Sequence, residues 1–243
     1  MKLALPLAGQ DTLIASWRAL ATISPGAQVH EGHAAVAAIF PLWVPLNNAI
    51  AYDAGPDSAR LAADEVTPLF DDARVATWAL WLSSSANSFD APDSVGSIDG
   101  FTRDTTTLVM HCALSAARPR SSAVERTTIE AAGRATDEVV PANELPPPDG
   151  AGGVDAWVAV VGGYAVAGAW SYLHGSDCGI YAVGTAVDWR RRGAATALMH
   201  NVLADAYERG AQSATLQSTR MGEPLYTSLG FRAVGRYEEW VPL

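Results

Sequence analysis

The residues of this chain best equipped for chemistry lie close together in its last third. Arg190-Arg191-Arg192-Gly193-Ala194-Ala195 sets three guanidinium groups, a glycine and two small residues just ahead of a helical run. That order suits an anion: first-turn amides of a helix lack partners, a glycine lets a phosphate approach the backbone, and arginines add formal charge. Further on, Leu225-Tyr226-Thr227-Ser228-Leu229-Gly230-Phe231 carries a tyrosine.

Other combinations fail on spacing. His30-Glu31-Gly32-His33 is HExH, so its imidazoles lack the i, i+4 placement of a zinc-binding helix, and a surface helix start is the better reading. Gly162-Gly163-Tyr164-Ala165-Val166-Ala167-Gly168 does not fit GxGxxG, and Gly175-Ser176-Asp177-Cys178-Gly179 does not place serine third of five as a nucleophile elbow requires. Cys112 and Cys178 are the only cysteines, without metal spacing, and read as two reduced structural thiols.

The elements that must hold the basic run are readable. Ala156 to Val161 and Tyr164 to Tyr172 are β-prone and joined by Gly162-Gly163, a hairpin signal. Gly179 to Val187 follows as a strand, and from Ala194 the residues Leu198, Val202 and Ala206 keep helical period up to Arg209-Gly210. Ala214 to Gln217 reads as a strand, Pro224 to Leu229 as a short helix and Phe231 to Val241 as a final strand or hairpin, giving the order ββ, β, α, β, α, β. Upstream, Glu125 to Ala135 is expected to be helical and Pro146 to Gly153 a loop. In the first half, Val29 to Phe40 and Ser58 to Phe70 suggest helices, and Ala76 to Ser83 and Thr105 to Leu114 strands.

Arg190-x-x-Gly193-x-Ala195 between a strand and a helix resembles the [Gln/Arg]-x-x-Gly-x-[Gly/Ala] signature of the Gcn5-related N-acetyltransferases (GNAT), and LYTSLGF is similar to their C-terminal LYxxLGF segment. The resemblance covers roughly residues 155 to 243. It implies an α/β (α+β) fold, with a mixed, mostly antiparallel sheet flanked by helices and a splayed strand pair holding acyl-coenzyme A. It implies an N-acetyltransferase moving an acetyl group from acetyl-coenzyme A to a primary amine by direct attack in a ternary complex. Arg190, Arg191, Arg192, Gly193, Ala194 and Ala195 would hold the pyrophosphate, Val183, Gly184 and Thr185 would align the pantetheine arm and polarise the acetyl carbonyl, and Tyr226 would serve the departing thiolate. Thr219 stands where many members have an asparagine. No motif marks a general base; His174 reads as solvated and Asp177 as a turn residue. A coenzyme A-binding module without catalysis is the alternative.

Residues 1–118 are expected to form an acceptor-side lobe and 119–243 the catalytic domain. Gly100-Phe101 followed by a strand echoes Gly230-Phe231, so the first lobe reads as a degenerate second copy that has lost the RxxGxA loop. Trp43, Trp78, Trp81, Asn47 and Asn48 could line an acceptor pocket, although tryptophans in apolar runs usually belong to a core. The net charge of -10 opposes nucleic acid and suits a cationic amine, small molecule or peptide. No apolar stretch reaches the ~20 residues of a membrane span. Pro6 and Gln10-Asp11 interrupt what would be a signal-peptide core, so a cytoplasmic location follows by default. No metal is expected, and the oligomeric state, a homodimer included, stays open.

Overall fold

A computed structural model describes residues 7–116 and 118–243. Met1 to Pro6, the start of the segment weighed as a leader, lie outside the described residues. The chain forms two compact units. The first takes residues up to Met110 together with Gln217–Tyr226 and Arg232–Leu243; the second takes His111–Leu216 and Thr227–Phe231. In both, helices flank a mostly antiparallel open sheet.

In the first unit, helix α1 (Gln10–Ala21) precedes strands β1 (Gln28–Glu31), β2 (Ala35–Ile39) and β3 (Asn48–Ala51); helix α2 (Pro56–Asp72), strand β4 (Ala79–Ser84) and strand β5 (Phe101–Ala113) follow. The strands lie in the order β1-β2-β3-β4-β12-β5, where β12 (Arg232–Pro242) comes from the far end of the sequence and pairs antiparallel with β4 from Arg236↔Ser84 to Trp240↔Leu80. Strands β3 and β4 run parallel, with α2 as the crossover. One face buries Ala35, Ala37, Ile39, Ala49, Ala51, Leu80 and Leu82 against Ala59, Ala62, Ala63, Val66 and Phe70 of α2. Phe70 stacks on Trp78 at 4.2 Å and 8°, a pair worth about 1 kcal/mol beyond its burial.

The helix expected over Val29 to Phe40 is instead the β1–β2 hairpin. Alanine favours helices, but every residue of β2 is buried, and two-sided burial erases the alternation that marks a strand. Glu65 of α2 fixes the turn by accepting 2.7 Å hydrogen bonds from the His33 and Ala34 amides. His30 and His33 thus flank a hairpin turn, not a helix start, and no cluster of three or more His, Cys, Asp or Glu able to hold a metal occurs among the described residues.

The second unit repeats the same grammar. Strand β6 (Val124–Thr127) and helix α3 (Ile129–Asp137) lead, through the two-residue strand β7 (Val140–Pro141), to β8 (Val154–Val161), β9 (Tyr164–His174) and β10 (Asp177–Thr185). Helix α4 (Ala194–Glu208) then crosses to β11 (Ser213–Ser218), parallel to β10. The order is β11-β10-β9-β8-β6, with β7 on β9. The expected β8–β9 hairpin turns on Gly162 and Gly163 with φ of 61° and 85°, as a primed turn requires. The helix expected from Glu125 begins only at Ile129: β6 pairs with β8, and the Thr128 side chain accepts a bond from the Ala131 amide, capping α3 there. Asp155 and Asp205 bind Arg126 and Arg209, tying the end of α4 to β6 and β8. Helix α5 (Glu223–Ser228) precedes β12. No described helix is long and apolar enough to cross a membrane.

Candidate active site

Strand β10 is two strands in one. Over Asp177–Ile180 it pairs with β9 on one side and with Ser213–Leu216 of β11 on the other. The parallel register ends at Ile180↔Leu216, yet β10 continues to Thr185. The register with β9 also slips between Tyr181↔Trp170 and Gly184↔Gly168, because β10 carries one extra residue. Ala182 absorbs that bulge with φ 51°, a left-handed conformation that costs a non-glycine residue about 1 kcal/mol. A bulge sharpens twist and bends its strand, and beyond Ile180 strand β10 runs on without a β11 partner in the parallel register. Where the two strands begin to pair, the Asp177 carboxylate accepts bonds from Ser213 Oγ at 2.6 Å and Thr215 Oγ1 at 2.7 Å. Asp177 thus clamps the start of the β10–β11 pairing, and the turn expected there corrects to the first residue of β10. His174 is exposed, as the sequence suggested.

The basic run follows directly. After a single 3-10 turn over Val187–Trp189, Arg190 Nε donates to the Thr185 carbonyl at 3.0 Å and pins the loop to the strand end. Arg192 lies 5.2 Å from the Trp189 ring centroid, and Arg191 takes φ 62°. All three arginines are exposed, and none forms an ion pair with a described residue. Gly193, at φ 86°, is the N-cap of α4 and accepts the Ala197 amide at 3.0 Å. No side-chain cap bond closes this helix, and no acid stands in its first turn, so the amides of Ala194, Ala195 and Thr196 lack an intrahelical acceptor. Val183, Gly184, Thr185, Arg190, Arg191, Arg192, Gly193, Ala194 and Ala195 therefore share one continuous strand, turn and helix start.

The corresponding helix of the first unit begins differently. Ahead of α2, Asp53 Oδ1 accepts the Gly55 amide at 3.3 Å and Oδ2 accepts Ser58 Oγ at 3.0 Å, while Asp57 sits in the first turn. Its positive end is already met by the chain's own carboxylates.

Tyr226 belongs to the first unit. It is 6% exposed, and burial pushes its phenol up to about 12. Its ring rests on Gly222, where a Cβ would stand 2.9 Å from the ring edge. Thr219, the departure from the family asparagine, accepts the Gly222 amide through its hydroxyl at 3.3 Å and so closes the turn into α5. Neighbouring Arg220 pairs with Asp90 at 2.8 Å and lies 4.7 Å over Phe89.

The aromatic and amide residues considered for an acceptor pocket are mostly structural. Trp78 packs on Phe70, Trp81 packs on Tyr237 at 5.0 Å, and Asn47 bridges the Phe40 amide and carbonyl at 2.6 and 3.2 Å. Asn48 donates to the Pro45 carbonyl at 3.1 Å, and Trp43 is half-buried beside exposed Leu42 and Val44. Both cysteines are buried, and neither forms a disulfide. Sequence reasoning missed Ala182, which a glycine would have signalled, and the Asp177 clamp, whose partners lie thirty-six and thirty-eight residues away.

The family model described as "Acetyltransferase (GNAT) domain" matches residues 149–240. Among solved structures, a GCN5-related N-acetyltransferase from Kribbella flavida aligns with a TM-score of 0.62 at 18% identity, covering 94% of this chain and 95% of that one. A putative acetyltransferase of the GNAT family from Novosphingobium aromaticivorans aligns at 0.58 and 18% identity, over 88% and 91% of the two chains. A tandem GNAT protein from the clavulanic acid biosynthesis pathway aligns at 0.53 and 12% identity, over 97% and 96%, which fits two copies in one chain. No curated protein matches. The signature, the bulged strand, the uncapped helix and the family model agree: residues 149–240 of this chain match an acetyltransferase domain of the Gcn5-related N-acetyltransferase family.

Proposed function

We propose that the chain moves an acetyl group from acetyl-coenzyme A to a primary amine, a small molecule or a peptide, by direct attack in a ternary complex. The observation that carries this is the α4 N-terminus, with uncapped amides, no first-turn acid and three arginines without carboxylate partners, at the end of a bulged strand. A pyrophosphate would satisfy the amides of Ala194 and Ala195 and the charge of Arg190, Arg191 and Arg192. The pantetheine arm would pair with the open edge at Val183, Gly184 and Thr185 as an added strand, and an amide there would polarise the thioester carbonyl. Attack by the neutral amine forms the C–N bond, breaks the C–S bond and leaves one proton to be lost from nitrogen.

Tyr226 is assigned to the thiolate by its motif. A thiol titrates near 8.5, far below this buried phenol, so Tyr226 keeps its proton and acts as a hydrogen-bond donor rather than a full acid. We keep the division at 118/119 as our reading of the two copies and take the location to be cytoplasmic. Incubation with acetyl-coenzyme A and a panel of primary amines, following free thiol, tests the proposal. Acetylated amine with stoichiometric thiol is expected; tight acetyl-coenzyme A binding with no amine turned over would make this a non-catalytic module.

A further inference from the structure

The first unit buries an ion pair that the reaction does not use. Arg236 and Glu238, two residues apart on β12, are both 0% exposed and bonded at 2.6 Å. Replacing such a pair by apolar residues is often neutral or stabilising, so its presence is better explained by the conformation it specifies than by the stability it adds. That conformation is the connection between β4 and β5, residues 85–100, which contains neither helix nor strand. Arg236 donates to the carbonyls of Ser88 at 3.1 Å, Ala91 at 2.7 Å and Pro92, and Glu238 accepts the Ser94 amide at 2.8 Å and the Ser94 hydroxyl at 3.0 Å. Both ends of the stretch from Ser88 to Ser94 are thereby fastened from beneath.

The fastened stretch presents Phe89 and Asp90, and these hold Arg220, one by its ring face and the other by its carboxylate. Arg220 lies inside the turn that launches α5: the Gly222 and Glu223 amides both donate to the Thr219 carbonyl, at 3.0 and 3.1 Å, and the Tyr226 amide donates to Gly222 at 3.3 Å. Because the Tyr226 ring lies against Gly222, a displaced turn displaces the phenol. We propose that the buried Arg236–Glu238 pair, acting through the Ser88–Ser94 loop and Arg220, is a positioning device for the Tyr226 hydroxyl. The proposal rests on the reading of Tyr226 given above. Both residues of the pair are positioning residues, and the exposed Asp90–Arg220 contact is the link through which they act.

The link can be cut without disturbing the buried pair. In full-length protein labelled with [13Cζ]tyrosine, the Tyr226 line is identified by its loss in Tyr226→Phe. The Phe89→Ala/Asp90→Ala variant is expected to move that line and leave the melting temperature unchanged. It is also expected to slow thiol release from acetyl-coenzyme A with n-butylamine by about tenfold at saturation, with KM for acetyl-coenzyme A within about twofold, the pattern of a misplaced group rather than a lost binding contact. In a Tyr226→Phe background the same two changes should slow nothing further. An unmoved Tyr226 line overturns the positioning role even if Tyr226→Phe is inactive. A moved line with Tyr226→Phe fully active overturns instead the part assigned to Tyr226 in the reaction.

Discussion

Helices α2 and α4 each lead into a parallel strand of their own unit and begin in opposite electrical states. Helix α4 opens with uncapped amides behind three arginines, whereas α2 opens with Asp53 folded onto its own turn and Asp57 in its first turn. In both, three consecutive antiparallel strands are followed by a helical crossover to a parallel strand. A shared backbone plan therefore does not imply a shared ligand: the anion site proposed at α4 depends on a few side chains at one turn, and carboxylates there would erase it.

The comparison breaks most sharply at Gly193. Gly193→Glu places a carboxylate at a φ of 86° where the pyrophosphate is proposed to sit, and calorimetry should show acetyl-coenzyme A binding weakened at least about 100-fold. Wild-type affinity would remove α4 from the donor site. Tyr226→Phe keeps the ring and loses the hydroxyl, so kcat should fall about tenfold to a hundredfold while calorimetric affinity for acetyl-coenzyme A holds. The opposite split would make Tyr226 a binding residue.

Alkaline stability distinguishes buried groups in each unit. Burial pushes Cys178 in the second unit and Tyr226 in the first up to about 12, from ordinary values of 9.0 and 10.0, and Tyr237 is raised by the same cause. The unfolded chain releases these protons first and the native state retains them, so stability is unaffected below about pH 8.5 and declines from there toward pH 12. Each group contributes a slope of about 1.4 kcal/mol per pH unit between its unfolded and folded values. Urea unfolding at stepped pH reads this directly; a flat profile from pH 9 to 11.5 would contradict the burial. The smallest effect is expected at Asp53. Asp53→Ala should leave the stoichiometry at one acetyl-coenzyme A per chain, and a second binding event would show that the carboxylate alone was keeping the first unit empty.

The second unit was largely readable because its punctuation is chemical: Gly162-Gly163 dictates a turn, and Gly193 followed by a helical period dictates a helix start. The first unit hid its hairpin in Ala35–Ile39, where burial on both faces removes any period. The bulge at Ala182 carried no glycine to announce it. Arg236 and Glu238 alternate along β12 as surface residues of a half-exposed strand would, and only the loop lying over them makes them interior. LYTSLGF pointed to Tyr226 but not to its burial, which pushes the phenol up to about 12.

The placement of β12 has a consequence for biosynthesis. The first unit contains an edge of β4 that only Arg232–Pro242 covers, so synthesis must run about 130 residues past Met110 before that edge can be paired. At ribosomal rates of about 5–20 residues per second, Ala79–Ser84 waits on the order of ten seconds as an open, apolar template. Nascent chains of this protein are accordingly expected to engage chaperones through a segment that the finished molecule conceals.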